Sequence, residues 1–316
     1  MAEVHIEPDP EIPTLDRYVM SAGIDVAFVP QAGMVGTSLR CDGHELLGRR
    51  GGLTDYVGLG KTFGIPLLAP WANRLANPVQ KCAGKSWTVA VGDPGVHPDE
   101  FSQPIHGLLA ASDAWVVDEF SADAHTAQLI AHLDFNQDLH CFAGFPFEHR
   151  LTIVARLHEN TLGIETIACA TGSTQVPIAF GWHPYFSFPD TERRDWVIDT
   201  PFIELAELSD LKIPTGQVIE QPIAAGSLAD RAFDDVYVNV SDGACARISG
   251  TEAEISVRYV SGYSTAVVFA PLTADVICFE PMTAPTDPFS GKWPINVVEP
   301  GQEYCATFEI EVSRTS

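Results

Sequence analysis

His149-Arg150-Leu151-Thr152-Ile153-Val154-Ala155-Arg156-Leu157, followed by the turn His158-Glu159-Asn160 and the run Thr161 to Cys169, reads as a β-hairpin. Leu151, Ile153, Ala155 and Leu157 fall on one face, and Arg150, Thr152, Arg156 and His158 on the other. One face buried and one wet is the signature of antiparallel sheet packing. The same rhythm extends in both directions. Upstream, 24–30, 36–48, Ala114 to Asp118 and Thr126 to Phe135 read as strands, with Gly33, Gly36, Asp42-Gly43 and Gly51-Gly52 as turns. Downstream, strands recur at Ala244 to Ser249, Glu254 to Val260, Thr265 to Ala270, Val276 to Phe279 and Tyr304 to Val312. Between them, 190–230 is polar and turn-rich, with Ile213-Pro214-Thr215-Gly216 its clearest turn. Helical periodicity is weak and there is no internal repeat. The expectation is an all-β, β-sandwich-like fold in a single domain over 1–316, whose residues 1–20, broken by Pro8, Pro10 and Pro13, form an extended N-terminal segment.

The charge balance narrows the partners. With 18 basic and 42 acidic residues the chain carries −24, which repels nucleic acid and anionic membrane surfaces. Its five lysines (61, 81, 85, 212, 292) form no basic run, so a neutral substrate is expected. The seven cysteines are scattered without a C-x-x-C and read as reduced thiols. The N-terminus is acidic, unlike a secretory or transit peptide, and no run of about 18 apolar residues occurs. A cytoplasmic location follows as the default expectation.

Candidate chemistry gathers around two proline-locked positions. In Phe180-Gly181-Trp182-His183-Pro184-Tyr185-Phe186, Pro184 forces His183 out of the α region and fixes the direction of its ring. Glu280 repeats the device: it follows the apolar run Val276-Ile277-Cys278-Phe279 and precedes Pro281, where the strand is expected to end. A carboxylate and an imidazole so placed are the parts of a general acid–base site. The segment 64–78 has three prolines but apolar content, and reads as an ordered loop presenting Trp71, Asn73 and Arg74, groups suited to a polyhydroxylated ring. Arg74 has the alternative of pairing with one of the many carboxylates. His106-Gly107 adds a second imidazole beside a flexible backbone, and Phe233-Asp234-Asp235 supplies adjacent acids. His97 reads as a solvated loop residue, and His132 and His149 as structural strand residues. Two histidines and a glutamate could also hold a metal, but no H-x-H or H-E-x-x-H is present, and no metal is expected. No activated nucleophile is found.

Asn73-Arg74, His106-Gly107, the G-W-H-P-Y-F block, Phe233-Asp234, Phe279-Glu280-Pro281 and the closing Pro300-Gly301-Gln302-Glu303-Tyr304, in this order, resemble the aldose 1-epimerase (galactose mutarotase) family over roughly residues 20 to 312. The resemblance implies a single-domain β-supersandwich acting without a cofactor on a free monosaccharide, as monomer or homodimer. It further implies that His183 protonates the ring oxygen, that Glu280 takes the anomeric proton, and that His106 assists. Arg74, Asp234 and Asn73 would then bind hydroxyls, with Trp71 and Trp182 shaping the sugar site. Asp235, in place of the histidine common in the family, leaves open which acid reaches the sugar. The alternatives are a hexose-6-phosphate 1-epimerase, which usually carries an arginine soon after the first histidine where this chain has Leu108-Leu109-Ala110-Ala111, and a non-catalytic carbohydrate-binding protein of the same fold.

Overall fold

A computed structural model of the protein describes residues 1–137 and 139–315. Two large sheets dominate. The nine-stranded sheet runs, in spatial order, Val116–Ala122, Thr126–Asp134, His149–His158, Thr161–Ala170, Glu303–Arg314, Ala253–Ser261, Cys245–Ser249, Val197–Asp199 and Gly226–Ser227. The eight-stranded sheet runs Pro214–Glu220, Glu204–Leu208, Phe233–Tyr237, Thr265–Ala270, Ile277–Met282, Gly181–Trp182 and Leu67–Leu68, with Tyr185–Phe186 also paired to Ile277–Met282. Neighbouring strands within them are antiparallel. A third sheet of five strands is built from residues 3–45.

The alternation in 149–158 decides the packing. Leu151, Ile153, Ala155 and Leu157 are all buried, while Arg150 reaches out to Asp134 and Arg156 to Gln128. The inner face of the other sheet offers Val268, Phe279 and Trp182 to the same core. Trp182 meets Phe308 of the nine-stranded sheet at 5.9 Å between ring centroids, joining the two layers. At about 25 cal/mol per Å² of apolar area, interdigitated aromatics of this kind dominate the burial energy.

Four expectations are corrected. The N-terminal segment 1–20 is extended but paired: Glu3–Pro8 lies against Asp16–Ser21 in the five-stranded sheet. Gly51-Gly52 opens the helix Gly52–Leu59 rather than a simple turn, and Gly60 closes it in the left-handed conformation. The stretch 190–230 holds four strands, and the turn near Pro214 sits earlier, where Ser209 donates to Ile213 and Lys212 to Ser209, so that Pro214 already starts a strand. That strand is an edge strand, where proline is tolerated. Finally, the strand beginning at Ile277 does not stop at Glu280 but continues to Met282.

Candidate active site

The site is set by one register. Gly181 pairs with Met282, Tyr185 with Cys278 and Phe186 with Ile277, so the antiparallel count places His183 opposite Glu280. Between Trp182 and Tyr185 the ladder is interrupted at His183-Pro184, because a proline has no N–H to contribute. Freed from that ladder, the His183 N–H donates to Pro66 O instead, at 3.1 Å, and Tyr185 N–H donates to Gly64 O at 2.8 Å. The loop 64–78 is thereby tied to the segment that carries His183.

The His183 imidazole and the Glu280 carboxyl meet with Nε2 3.1 Å from Oε1. Both side chains are almost sealed, at 6% and 2% exposure, so neither charge is screened by water. Burial holds the His183 imidazole well below its ordinary range, with the His106 and Arg50 charges acting in the same direction. Burial holds the Glu280 carboxyl well above its ordinary range, aided by Asp234 and opposed by Arg74. Shifts of opposite sign on touching groups mean that the pair carries one proton between them across a wide range of pH. Oε2 of Glu280, Nδ1 of His183 and Nδ1 of His106 are buried without a protein partner. Three such orphans in one place mark a spot built to receive polar groups.

His106 completes the imidazole pair, its ring edge-on to His183 at 5.5 Å. Its backbone is left-handed, at φ 65°, held by an N–H bond to Asn73 O. Gly107 beside it is obligatory: at φ 79° a Cβ would come within 2.0 Å of Ala69 O. Burial first, then the charges of Arg74, Arg50 and His97, push the His106 ring down to about 3, so it is neutral at physiological pH.

Arg74 is buried, and each of its three side-chain nitrogens has a partner. Nε donates to Asp99 at 2.6 Å, Nη2 to Glu100 at 3.1 Å and Nη1 to Asn73 Oδ1 at 3.1 Å. Asp99 in turn accepts the N–H groups of Phe101 and Gln103, fixing the loop that carries it. Asn73, with its Oδ1 committed to Arg74, acts as a brace for the guanidinium.

The register also separates the two adjacent acids. Asp234 pairs with Phe269 and Phe269 with Cys278, which puts Asp234 on the face that carries Tyr185 and Glu280; Asp235 pairs with Val268 and lies on the opposite face. Lys212 approaches Asp234 at 3.3 Å.

Other candidates lie elsewhere. Trp182 alternates with His183 and therefore points inward, its Nε1 donating to Thr166 Oγ1 at 3.0 Å; it has no surface to offer a ligand. Trp71 is likewise sealed in the core. His132 pairs with Asp118 and His149 stacks on Phe135, and both lie on strands of the nine-stranded sheet, not on the sheet that carries Glu280. His97 is half-buried in a short strand against Ile105, not in a solvated loop, and Gly60 leaves the space its ring occupies. A cavity of about 590 Å³ lined by His44, Phe188, Asp190 and Arg314 contains none of the candidates.

Asp99 and Glu100 beside Arg74 escaped the sequence reading, as did Tyr185, Thr62 and Arg50 around His183. The Tyr185 ring stacks on His183 at 4.2 Å with planes 8° apart, and its hydroxyl lies 3.1 Å from His183 Nε2. That hydroxyl also meets Thr62 Oγ1 at 2.6 Å and accepts from Arg50 Nη1 at 3.0 Å. The only signal for Tyr185 was its place two residues after His183, on the same face of an extended chain.

With this geometry in place, solved structures identify the fold. A galactose mutarotase-like protein from Clostridium acetobutylicum superposes with a TM-score of 0.86 over 99% of each chain at 16% identity. Galactose 1-epimerase from Lactobacillus acidophilus gives 0.73 over 100% of this chain and 99% of its own at 15% identity. An aldose epimerase homologue from C. elegans gives 0.73 over 100% of both chains at 17% identity. The fold is thus galactose mutarotase-like. The family model for aldose 1-epimerase matches residues 23–311, and the chain belongs to that family. A comparison with curated protein sequences gave no significant match.

Proposed function

We propose that the protein is an aldose 1-epimerase, interconverting the α and β anomers of a neutral aldose within one domain spanning 1–316. The observation that carries this reading is the buried His183–Glu280 contact at 3.1 Å, an acid and a base close enough to serve one ring carbon and its oxygen. The Glu280 carboxylate takes the proton of the anomeric hydroxyl while His183 Nε2–H protonates the ring oxygen. The bond from C1 to the ring oxygen breaks and the C1 carbonyl forms; the carbonyl turns over, and reclosure with reversed proton movements yields the other anomer. No cofactor is called for, since the chain supplies both groups.

The proton count of the pair stays at one throughout. Burial favours the neutral form of each group, so the resting pair is neutral imidazole and carboxylic acid. Passage of the Glu280 proton to His183 Nε2, 3.1 Å away, gives the imidazolium and carboxylate that open the ring, and ring opening returns the pair to its neutral form. His106, neutral and edge-on to His183, would donate or accept at the anomeric oxygen. Asp234, on the same face, would accept a sugar hydroxyl, and Arg74, braced by Asn73, would donate to one.

A phosphorylated sugar is disfavoured by a specific feature. Arg74, the buried cation among the proposed binding residues, is already neutralised by Asp99 and Glu100, and Lys212 is paired with Asp234. A phosphate would meet carboxylates as near as the cations. Polarimetry of freshly dissolved α-glucose and α-galactose tests the reading, with glucose 6-phosphate as the comparison; acceleration of the neutral sugars supports it, and a strong preference for the phosphate replaces it.

A further inference from the structure

The backbone around Arg74 is bonded on both sides. Toward the stretch that carries His106, Asn73 O accepts from His106 N–H at 3.0 Å and Leu75 N–H donates to Pro104 O at 2.9 Å. The groups that alternate with these, Arg74 O and Ala76 N–H, are both taken by a single residue, Asp287. Its N–H donates to Arg74 O at 2.9 Å, and its Oδ1 accepts from Ala76 N–H at 3.0 Å. One residue of a paired strand would offer its N–H and its C=O in this way. Here the side-chain oxygen replaces the carbonyl, because the Asp287 backbone is left-handed, at φ 59° and ψ 52°, and its own C=O accepts from Ser290 Oγ at 2.7 Å. Asp287 is buried, at 2% exposure.

Asp287 belongs to the other half of the site. It follows Glu280 by seven positions. Between them Thr283 donates to Phe180 O twice, through its N–H at 3.0 Å and its Oγ1 at 2.9 Å, three residues before His183. The run 280–287 therefore carries the base, grips the chain that leads to His183 and clasps the segment of Arg74, which is itself bonded to His106.

We infer that Asp287 is a positioning residue that sets where Arg74 meets the sugar relative to Glu280 and His183. This rests on the epimerase reading, in which Arg74 donates to a sugar hydroxyl. Asp99, Glu100 and Asn73 fix the direction of the guanidinium, and Asp287 fixes the main chain from which it projects. The working group is the Oδ1 acceptor, not the charge. Asparagine supplies the same oxygen and tolerates the left-handed backbone. Glycine keeps that backbone and the N–H but has no oxygen to offer Ala76. A displaced Arg74 loses binding that is equal in the ground and transition states, so the effect falls on KM. A merely structural residue would instead lower the amount of folded protein and leave KM as it was.

The test is mutarotation over a concentration series of galactose or glucose by full-length Asp287→Asn and Asp287→Gly, with circular dichroism to establish folding. Asp287→Gly should raise KM about 5- to 10-fold, the effect of one lost hydrogen bond, with kcat within about twofold of wild type. Asp287→Asn should match wild type in both. In an Arg74→Gln background, whose own KM is raised, Asp287→Gly should raise KM no further. If the glycine variant does not fold, Asp287→Ala carries the same prediction. A wild-type KM in the folded variant, an equal rise in Asp287→Asn, or an undiminished further rise in the Arg74→Gln background would each overturn the inference and leave the epimerase reading standing. Absence of activity in the wild type would instead remove the reading on which it rests.

Discussion

His183 Nε2 lies 3.1 Å from Glu280 Oε1, directly across a strand pairing in which neither residue takes part in the ladder on that side. Two prolines, Pro184 and Pro281, follow the two residues and keep this stretch extended. The contact is the origin of most of what can be measured.

The pair should behave as one unit. Glu280→Gln and His183→Asn should each slow mutarotation by about 10²- to 10⁴-fold, as expected for loss of a general acid or base. The double variant should be hardly slower than either single variant, because the remaining partner has no exchange to complete. Multiplicative losses, measured by polarimetry, would mean that the two groups act separately.

The pH profile follows from the directions of the two shifts. His183 is lowered, so a second proton joins the pair only below the ordinary imidazole value; Glu280 is raised, so the last proton leaves only well above the ordinary carboxylate value. The kcat/KM profile should be flat between these two limbs and fall outside them. An inflection centred at 6.5, the unperturbed imidazole value, would contradict the burial of His183.

His106 should contribute without titrating, since its ring is pushed down to about 3. His106→Asn is the suitable variant, because asparagine tolerates the left-handed backbone at φ 65°. A loss of rate with both limbs of the pH profile unmoved is expected. Gly107→Ala should abolish the arrangement, as its Cβ would fall 2.0 Å from Ala69 O; circular dichroism and activity together would show a destabilised, inactive protein.

Asp99 should matter for stability as well as binding. Its side chain is fully buried and joins Arg74 Nε to the backbone N–H groups of Phe101 and Gln103. Asp99→Ala leaves Arg74 without its buried counter-charge and should cost about 3–5 kcal/mol in urea unfolding. Glu100, with an exposed side chain, should leave stability nearly unchanged as Glu100→Gln, but should admit inhibition by inorganic phosphate that the wild type resists. Equal phosphate inhibition in both would remove the argument that carboxylates screen Arg74.

How much of this was legible in the sequence depends on the range of the interaction. The hairpin 149–170 was, because alternation is local and one face is wholly buried. His183 and Glu280 were, because each precedes a proline. The strands between 197 and 227 were not: they are short and largely exposed, and Pro214–Glu220 is an edge strand with almost no buried face to impose a pattern. The inward turn of Trp182 was available from the period of two, since adjacent residues of an extended chain cannot both face the cleft. The Asp99 clamp was not, because one acid among 42 has nothing local to single it out. Thr62 and Arg50 were hidden for the same reason, their partner Tyr185 lying more than a hundred residues away.

The most direct measurement of the central claim is the rate at which α-galactose and α-glucose approach rotational equilibrium with wild type, Glu280→Gln and His183→Asn at neutral pH. Marked acceleration by wild type and near-background rates for both variants are expected, with all three proteins folded. Equal acceleration by all three, or none by the wild type, would contradict the claim.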